Sequence, residues 1–323
     1  MAGIVAGAAA RRREGRLTSM ARAKPVPAFM GTTTAKSPKG FDAALFGAPH
    51  GTPYRGIDNR IHQTAPDAFR KALAEDALWL DHWDFDLGGT LLGHGQRIAD
   101  LGNLKTTARG AAANRKLITA CTHRILEAGA VPIMLGGDDS VPIPFITGFS
   151  GQPPVVILQI DAHIDWRDER HGERLGFSST MRRASEQPHV WRIVQTGMRG
   201  LGSARQQEVR DAMDCGARLI TARDVHDNGI EQVLEHIPED CNCVISLDCD
   251  ALDVSQMPAV SYPTPGGLTY TQVTGLIDGV AAKAHIAGFA MVEFVARRDP
   301  AGTSAFTAAR IAAHVLGRLK PRG

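Results

Sequence analysis

The sequence predicts an α/β protein, with a mostly parallel sheet lying between two helical layers. Two observations carry this. From Phe41 onward short β-rich runs alternate with longer segments of helical period, and such alternation builds βαβ units with right-handed crossovers. Several of the short runs are apolar at every residue, as strands buried on both faces of a parallel sheet are.

In chain order, strands are expected at Asp42–Gly47, Val131–Gly136, Val155–Ile160, Arg192–Gly197, Arg218–Thr221, Cys243–Asp248 and Ile286–Glu293. Helical patterns lie between them near Ala65–Glu75, Thr106–Ala128, Ser203–Met213, Thr269–Lys283 and Gly302–Leu319. No internal repeat of about 20–50 residues breaks the chain, so residues 41–323 read as one domain. Residues 1–40 differ: Met1–Ala10 is small and apolar, Arg11, Arg12 and Arg13 follow, and a Ser/Thr/Lys/Pro-rich stretch runs to Gly40. A secretory signal has its charge before the apolar segment, the reverse of this order. The expectation is a flexible arm that packs on a neighbouring subunit.

Composition excludes several classes. With 36 basic and 34 acidic residues the net charge is +2, which gives no reason for a nucleic-acid partner. No apolar run approaches the roughly 18 residues of a membrane span. Five cysteines, an odd number in a chain of 323 residues, point to reduced thiols and a cytoplasmic location rather than a disulfide framework. Gly88, Gly89, Gly93 and Gly95 do not form a dinucleotide fingerprint, and there is no P-loop.

Chemistry concentrates after three of the expected strands: Leu135–Ser140, Asp161–Asp165 and Ser246–Asp253. Ligands of open parallel sheets bind outside the carboxyl ends of the strands. Residues two apart in an extended segment point the same way, so Asp161, His163 and Asp165 share a side, as do Asp248 and Asp250. A lone Asp after a strand commonly caps the following helix, but three such clusters together are not explained that way. Crowded carboxylates repel and raise one another's pKa values. Divalent cations relieve this, and a carboxylate-rich set with one imidazole suits Mn²⁺, Ni²⁺ or Fe²⁺.

At these residues the sequence resembles the ureohydrolase family of arginases and agmatinases. The family signatures G-G-D-H-S, D-A-H-x-D and S-x-D-x-D-x-x-D-P correspond here to Gly136–Ser140, Asp161–Asp165 and Ser246–Asp253. Asp100-Leu101-Gly102-Asn103 and Ala290-Met291-Val292-Glu293 extend the likeness. The resemblance implies an arginase-like fold and two divalent ions, Mn²⁺ or Ni²⁺, bridged by Asp161 and Asp248. It assigns Asp139 and Asp165 to one ion and His163 and Asp250 to the other. Glu293 and Asp253 are implied to hold the guanidinium of a guanidino or biguanide substrate, whose C–N bond a bridging hydroxide cleaves.

Three departures stand out. Asp139 replaces a metal-binding histidine, which adds a fifth carboxylate and weakens Lewis acidity. Ser178 stands where the family carries a proton-shuttling histidine, and serine does not titrate near neutrality. Val254 and the stretch Ala259–Pro263 alter the loop that walls the pocket. His171 reads as a solvated loop residue and Trp191 as core; Trp166 is a candidate for the pocket wall, and Asp58 falls where relatives have a substrate loop. The family forms trimers and hexamers and includes a nickel-dependent, heteromeric metformin hydrolase with one subunit short of metal ligands. The departures therefore give the expectation of a weakly or non-catalytic chain that supports an active paralogue in a homo- or hetero-oligomer. The alternative is a self-sufficient agmatinase-like or guanidine/biguanide hydrolase with Asp139 as ligand.

Overall fold

Every neighbouring pair of strands in the sheet runs parallel. The computed structural model describes residues 25–202 and 204–321. Its strands are β1 (Thr33–Thr34), β2 (Ala43–Ala48), β3 (Ile98–Asn103), β4 (Val131–Gly136), β5 (Val155–Ile160), β6 (Val190–Met198), β7 (Arg218–Thr221), β8 (Asn242–Asp248) and β9 (His285–Val292). They lie in the order β1-β3-β2-β4-β9-β8-β5-β6-β7. The three-layer α/β expectation holds.

Alternation of side chains along the strands divides the interior in two. Leu45, Ile133, Leu135, Leu158 and Met291 enter one core, while Phe46, Met134, Ile157 and Val292 enter the other. The first face is covered by α1 (Ala65–Ala72), α6 (Ala222–Asn228), α7 (Glu231–Leu234), α8 (Tyr270–Lys283) and α9 (Thr303–Arg318). The second is covered by α2 (Ala111–Glu127), α3 (Pro142–Thr147), α4 (Thr180–Ser185) and α5 (Gln206–Asp214). On α2, Ile118, Cys121 and Ile125 fall on one stripe and are buried, the spacing that an amphipathic helix needs. α8 starts at a capping box: Thr269 Oγ1 accepts from Gln272 N at 3.1 Å, and Gln272 Oε1 accepts from Thr269 N at 2.9 Å.

The register brings four strand ends to one level. Leu135 of β4 and Leu247 of β8 both pair with Met291 of β9, and Leu247 also pairs with Ile160 of β5. Whatever follows those strands therefore opens onto a common crevice.

Two expectations need correction. Phe29 and Met30, placed by sequence in a flexible arm, are buried on this chain at 0% and 3% exposure. Phe29 N donates to Asp100 Oδ2 at 3.0 Å, and Thr33–Thr34 adds to the sheet beside Ala99–Asp100. The packed domain thus begins before residue 41, while residues 1–24 of the expected arm lie outside the described residues. Trp191, expected in the core, is 49% exposed, with the Arg192 guanidinium 5.1 Å over its ring. The thiols of Cys121, Cys215, Cys241, Cys243 and Cys249 are all free. No helix among the described residues is long and apolar enough to cross a membrane.

Candidate metal centre

Four strand ends deliver the acidic side chains. β4 leads into Gly136-Gly137-Asp138-Asp139, and space requires the glycine at 137: a Cβ there would lie 2.6 Å from the Pro49 carbonyl oxygen. β5 leads into Asp161–Asp165, β8 ends on Asp248, and Glu293 follows β9. Asp139, Asp161 and Asp165 bring carboxylate oxygens within 4.8 Å of one another, and Asp161, His163 and Asp250 form a second group of the same kind. Asp161 belongs to both. His163 Nδ1 lies 3.4 Å from Asp161 Oδ1 and 3.4 Å from Asp250 Oδ2. Asp248 stands beside them, its Oδ1 accepting from Asp250 N at 2.7 Å. The structure therefore brings together all six residues that the sequence analysis named as metal ligands.

Supports that the motifs do not contain hold this cluster. The Gln159 amide donates to Asp161 Oδ2 at 2.7 Å and to Asp165 Oδ2 at 2.8 Å. Its carbonyl accepts from Gln195, which also donates to the Ile164 carbonyl at 2.8 Å. Both glutamines are fully buried polar residues, Gln159 within an otherwise apolar strand, and that oddity in the sequence is a signal that could have found it. Asp165 and Glu293 have positive φ, 46° and 65°, at about 1–3 kcal/mol each for a non-glycine residue. The Asp165 carbonyl is fixed by the Met181 and Arg182 amides at 3.1 and 3.2 Å, and Glu293 N by the Gly137 carbonyl at 2.9 Å.

Electrostatics give the cluster its meaning. Burial, then the charges of Asp165 and Asp161, pushes the Asp139 carboxyl up. Burial, then Asp161, does the same to Asp165, and burial, then Asp250 and Asp161, to Asp248. Burial alone would disfavour a charged His163, but its hydrogen bonds to Asp161 and Asp250 outweigh that and push its pKa up to about 12. Five carboxylates against one imidazole is a strongly cation-seeking set. Asp139 Oδ2 is buried without a hydrogen-bond partner, and a buried carboxylate oxygen left so is costly unless a cation meets it. The donors, mostly hard oxygens with one imidazole, fit divalent ions of the Mn²⁺ kind.

The cluster opens into a cavity of about 520 Å³, which Asp139, Asp165, Asp248, Asp250 and Glu293 also line. Glu293 Oε1 accepts from Asp139 N at 2.8 Å, and its Oε2 lies 3.3 Å from His62 Nε2. Burial raises the Glu293 carboxyl to about 7. His62, which the sequence analysis passed over, is 3% exposed and also contacts the Phe294 carbonyl at 3.1 Å and Ser261 Oγ at 3.2 Å. Ser178 lines the cavity with its hydroxyl 2.7 Å from the Tyr54 hydroxyl.

Other expected site residues lie elsewhere. Asp253 does not line the cavity; its carboxylate accepts from Ser255 N and Oγ and from the Gly266 and Gly267 amides, and so fastens the loop between them. Trp166 is buried at 2% exposure beside a separate cavity, and Asp58 pairs with Arg60 at the surface. His171 is exposed, as expected.

The arginase family model matches residues 41–317. The mitochondrial guanidino acid hydrolase of Homo sapiens is 28% identical over 308 residues, covering 93% of this chain and 84% of that protein. The N(1)-aminopropylagmatine ureohydrolase of Thermus thermophilus is 32% identical over 209 residues, covering 63% and 68%. The solved agmatine ureohydrolase of Thermoplasma volcanium superposes with a TM-score of 0.75 at 26% identity, covering 91% of this chain and 94% of that one. A match that runs from the second strand to the last helix takes in all four strand ends of the cluster, and on that ground the chain belongs to the arginase family.

Proposed function

We infer that this chain holds two divalent cations, Mn²⁺ by the chemistry of its donors, and hydrolyses the C–N bond of a guanidino compound, slowly on its own, as a subunit beside an active paralogue. The observation that carries the reading is the buried, unpartnered Asp139 Oδ2 next to Asp161 and Asp165. Asp139 and Asp165 would serve one ion and His163 and Asp250 the other, with Asp161 and Asp248 between them. When bound, such ions supply Lewis acidity and lower the pKa of a water nucleophile.

The chain's own residues do the rest. Glu293 offers its carboxylate to the guanidinium in a water-poor site, where a charge-assisted hydrogen bond is strong. Ser178 cannot take up a proton near neutrality, and its hydroxyl is tied to Tyr54. A proton that an imidazole at that position would carry must leave by solvent, which supports slow turnover.

The test is metal analysis of the purified chain, with urea release measured alone and after co-expression with a paralogue that carries G-G-D-H-S. The substrate panel includes guanidinobutyrate, agmatine, guanidine and a biguanide. Two cations per chain, with weak release alone and strong release together, is the expected result. A chain that binds no cation overturns the reading.

A self-sufficient hydrolase is the second reading, favoured by the contact between His62 and Glu293, which sets a buried imidazole against a carboxylate of the cavity wall. Turnover by the lone chain that co-expression does not increase would select it.

A further inference from the structure

We propose that the outer wall of this cavity is a subsite for an anionic group on the substrate, with Arg170 as the residue that selects it; the proposal rests on the hydrolase reading above. The carboxylates that line the cavity are all buried, whereas Arg167 and Arg170, which line it too, are partly exposed. No Asp or Glu lines that outer wall among the described residues. One cavity thus carries two poles of opposite charge, which is the complement of a molecule with a guanidinium at one end and a carboxylate at the other.

Arg170 is set in place before any ligand arrives. Its guanidinium lies 5.2 Å from the centroid of the Tyr54 ring, a distance at which the ring face attracts a cation. Tyr54 is itself 1% exposed, packs edge-on against Phe177 at 4.8 Å, and meets Ser178 through its hydroxyl. Gly176 permits this approach, since a Cβ there would fall 2.3 Å from the Tyr54 ring. The loop that carries Arg170 is therefore moored on Tyr54 at several points. Among the described residues no carboxylate oxygen forms an ion pair with Arg170, whereas Arg167 already faces Glu208 at 3.7 Å. Arg170 is the cation that the wall offers to a ligand.

The charge pattern makes a definite selection. A carboxylate tail gains an opposite charge, an ammonium tail meets a like one, and an uncharged alkyl tail is indifferent. For partly exposed groups the combined difference is on the order of tenfold in affinity, or about 1.4 kcal/mol.

Calorimetric titration of the Mn²⁺-loaded chain with three ligands of matched length tests this: 4-guanidinobutyrate, agmatine and butylguanidine. The acid is expected to bind roughly tenfold more tightly than agmatine, with butylguanidine between them. In Arg170→Gln the acid should fall to the level of butylguanidine while butylguanidine binding and metal content stay as they were. Equal or tighter binding of agmatine overturns the proposal and leaves the hydrolase reading standing, as does an unchanged preference in Arg170→Gln. Failure to bind any of the three, with both cations present, overturns the proposal and the hydrolase reading together.

Discussion

His62 Nε2 lies 3.3 Å from Glu293 Oε2, and both side chains are buried. The opposite ring nitrogen of His62 is 3.1 Å from the Phe294 carbonyl, which accepts and never donates, so Nδ1 carries a proton. Nε2 then faces both Glu293 Oε2 and the Ser261 hydroxyl, the latter at 3.2 Å. His62 is thus a clamp on the Glu293 carboxylate, which lines the cavity.

His62→Ala should free that carboxylate and leave the Phe294 carbonyl without its partner. About tenfold weaker binding of a guanidinium ligand is expected, with a stability loss of about 1–3 kcal/mol for the orphaned group. Titration calorimetry and thermal melting read the two effects separately. His62→Gln, which keeps an amide donor, should recover part of the affinity; no change in affinity in either variant would remove the clamp from substrate binding.

Asp139 is testable through metal content alone. Asp139→Ala should take bound Mn²⁺ from two ions per chain to one, and Asp139→His should return it to two. Mass spectrometry of the dialysed protein decides this, and identical content in all three chains would take Asp139 out of the ligand set.

Cations should also stabilise the fold, since they bind only where the carboxylates are assembled. At a free concentration a hundred times the dissociation constant the gain is about 2.7 kcal/mol. The melting temperature should rise with added Mn²⁺ and fall again with a chelator.

The pair of Arg70 and Asp100 anchors the residues ahead of the first long strand. Arg70 Nε and Nη2 reach the two Asp100 oxygens at 2.7 and 2.8 Å, with both side chains 3% exposed. Asp100→Ala leaves the buried guanidinium with only Asp67, at 3.9 Å, as a charged partner and takes away the acceptor of Phe29 N, so a loss of about 3 kcal/mol is expected. Urea unfolding measures it.

Asp253 carries a pH dependence. Hydrogen bonds from the Ser255 hydroxyl and amide hold its carboxyl down to about 2, against roughly 3.9 in an unfolded chain. A depressed folded value contributes stability above the unfolded pKa and loses it as pH falls through the folded one. Between about pH 4 and pH 2 the loop from Asp253 to Gly267 should therefore loosen, with faster amide exchange at Gly266 and Gly267. Asp253→Asn should abolish that dependence.

How much of this was legible follows from where each residue sits. β4, β5 and β7 were read from sequence with their observed bounds; Val131–Gly136 carries no polar side chain and Val155–Ile160 only that of Gln159. β3 was missed: only its first three residues are fully buried, and it ends in Asp-Leu-Gly-Asn, which carries no β signal. α3, α4, α6 and α7 span seven residues or fewer, too short for a helical period to register. The six expected ligand positions were visible because acids paired or two apart after a strand stand out, whereas His62 follows Asn-Arg-Ile and belongs to no pattern. Asp253 shares the acidic motif, yet its carboxylate turned to the loop amides, a choice that spacing does not encode.

Asp139 and Glu293 meet through a hydrogen bond although 154 positions separate them, and the other acids of the cluster come from two further strands. In a random coil the groups contributed by different strands are far apart and do not feel one another. Their mutual repulsion therefore switches on only as the centre of the sheet closes, which makes the closing step itself sensitive to ions. Refolding from urea should then run slower in the presence of a chelator than with Mn²⁺, while unfolding shows the opposite bias.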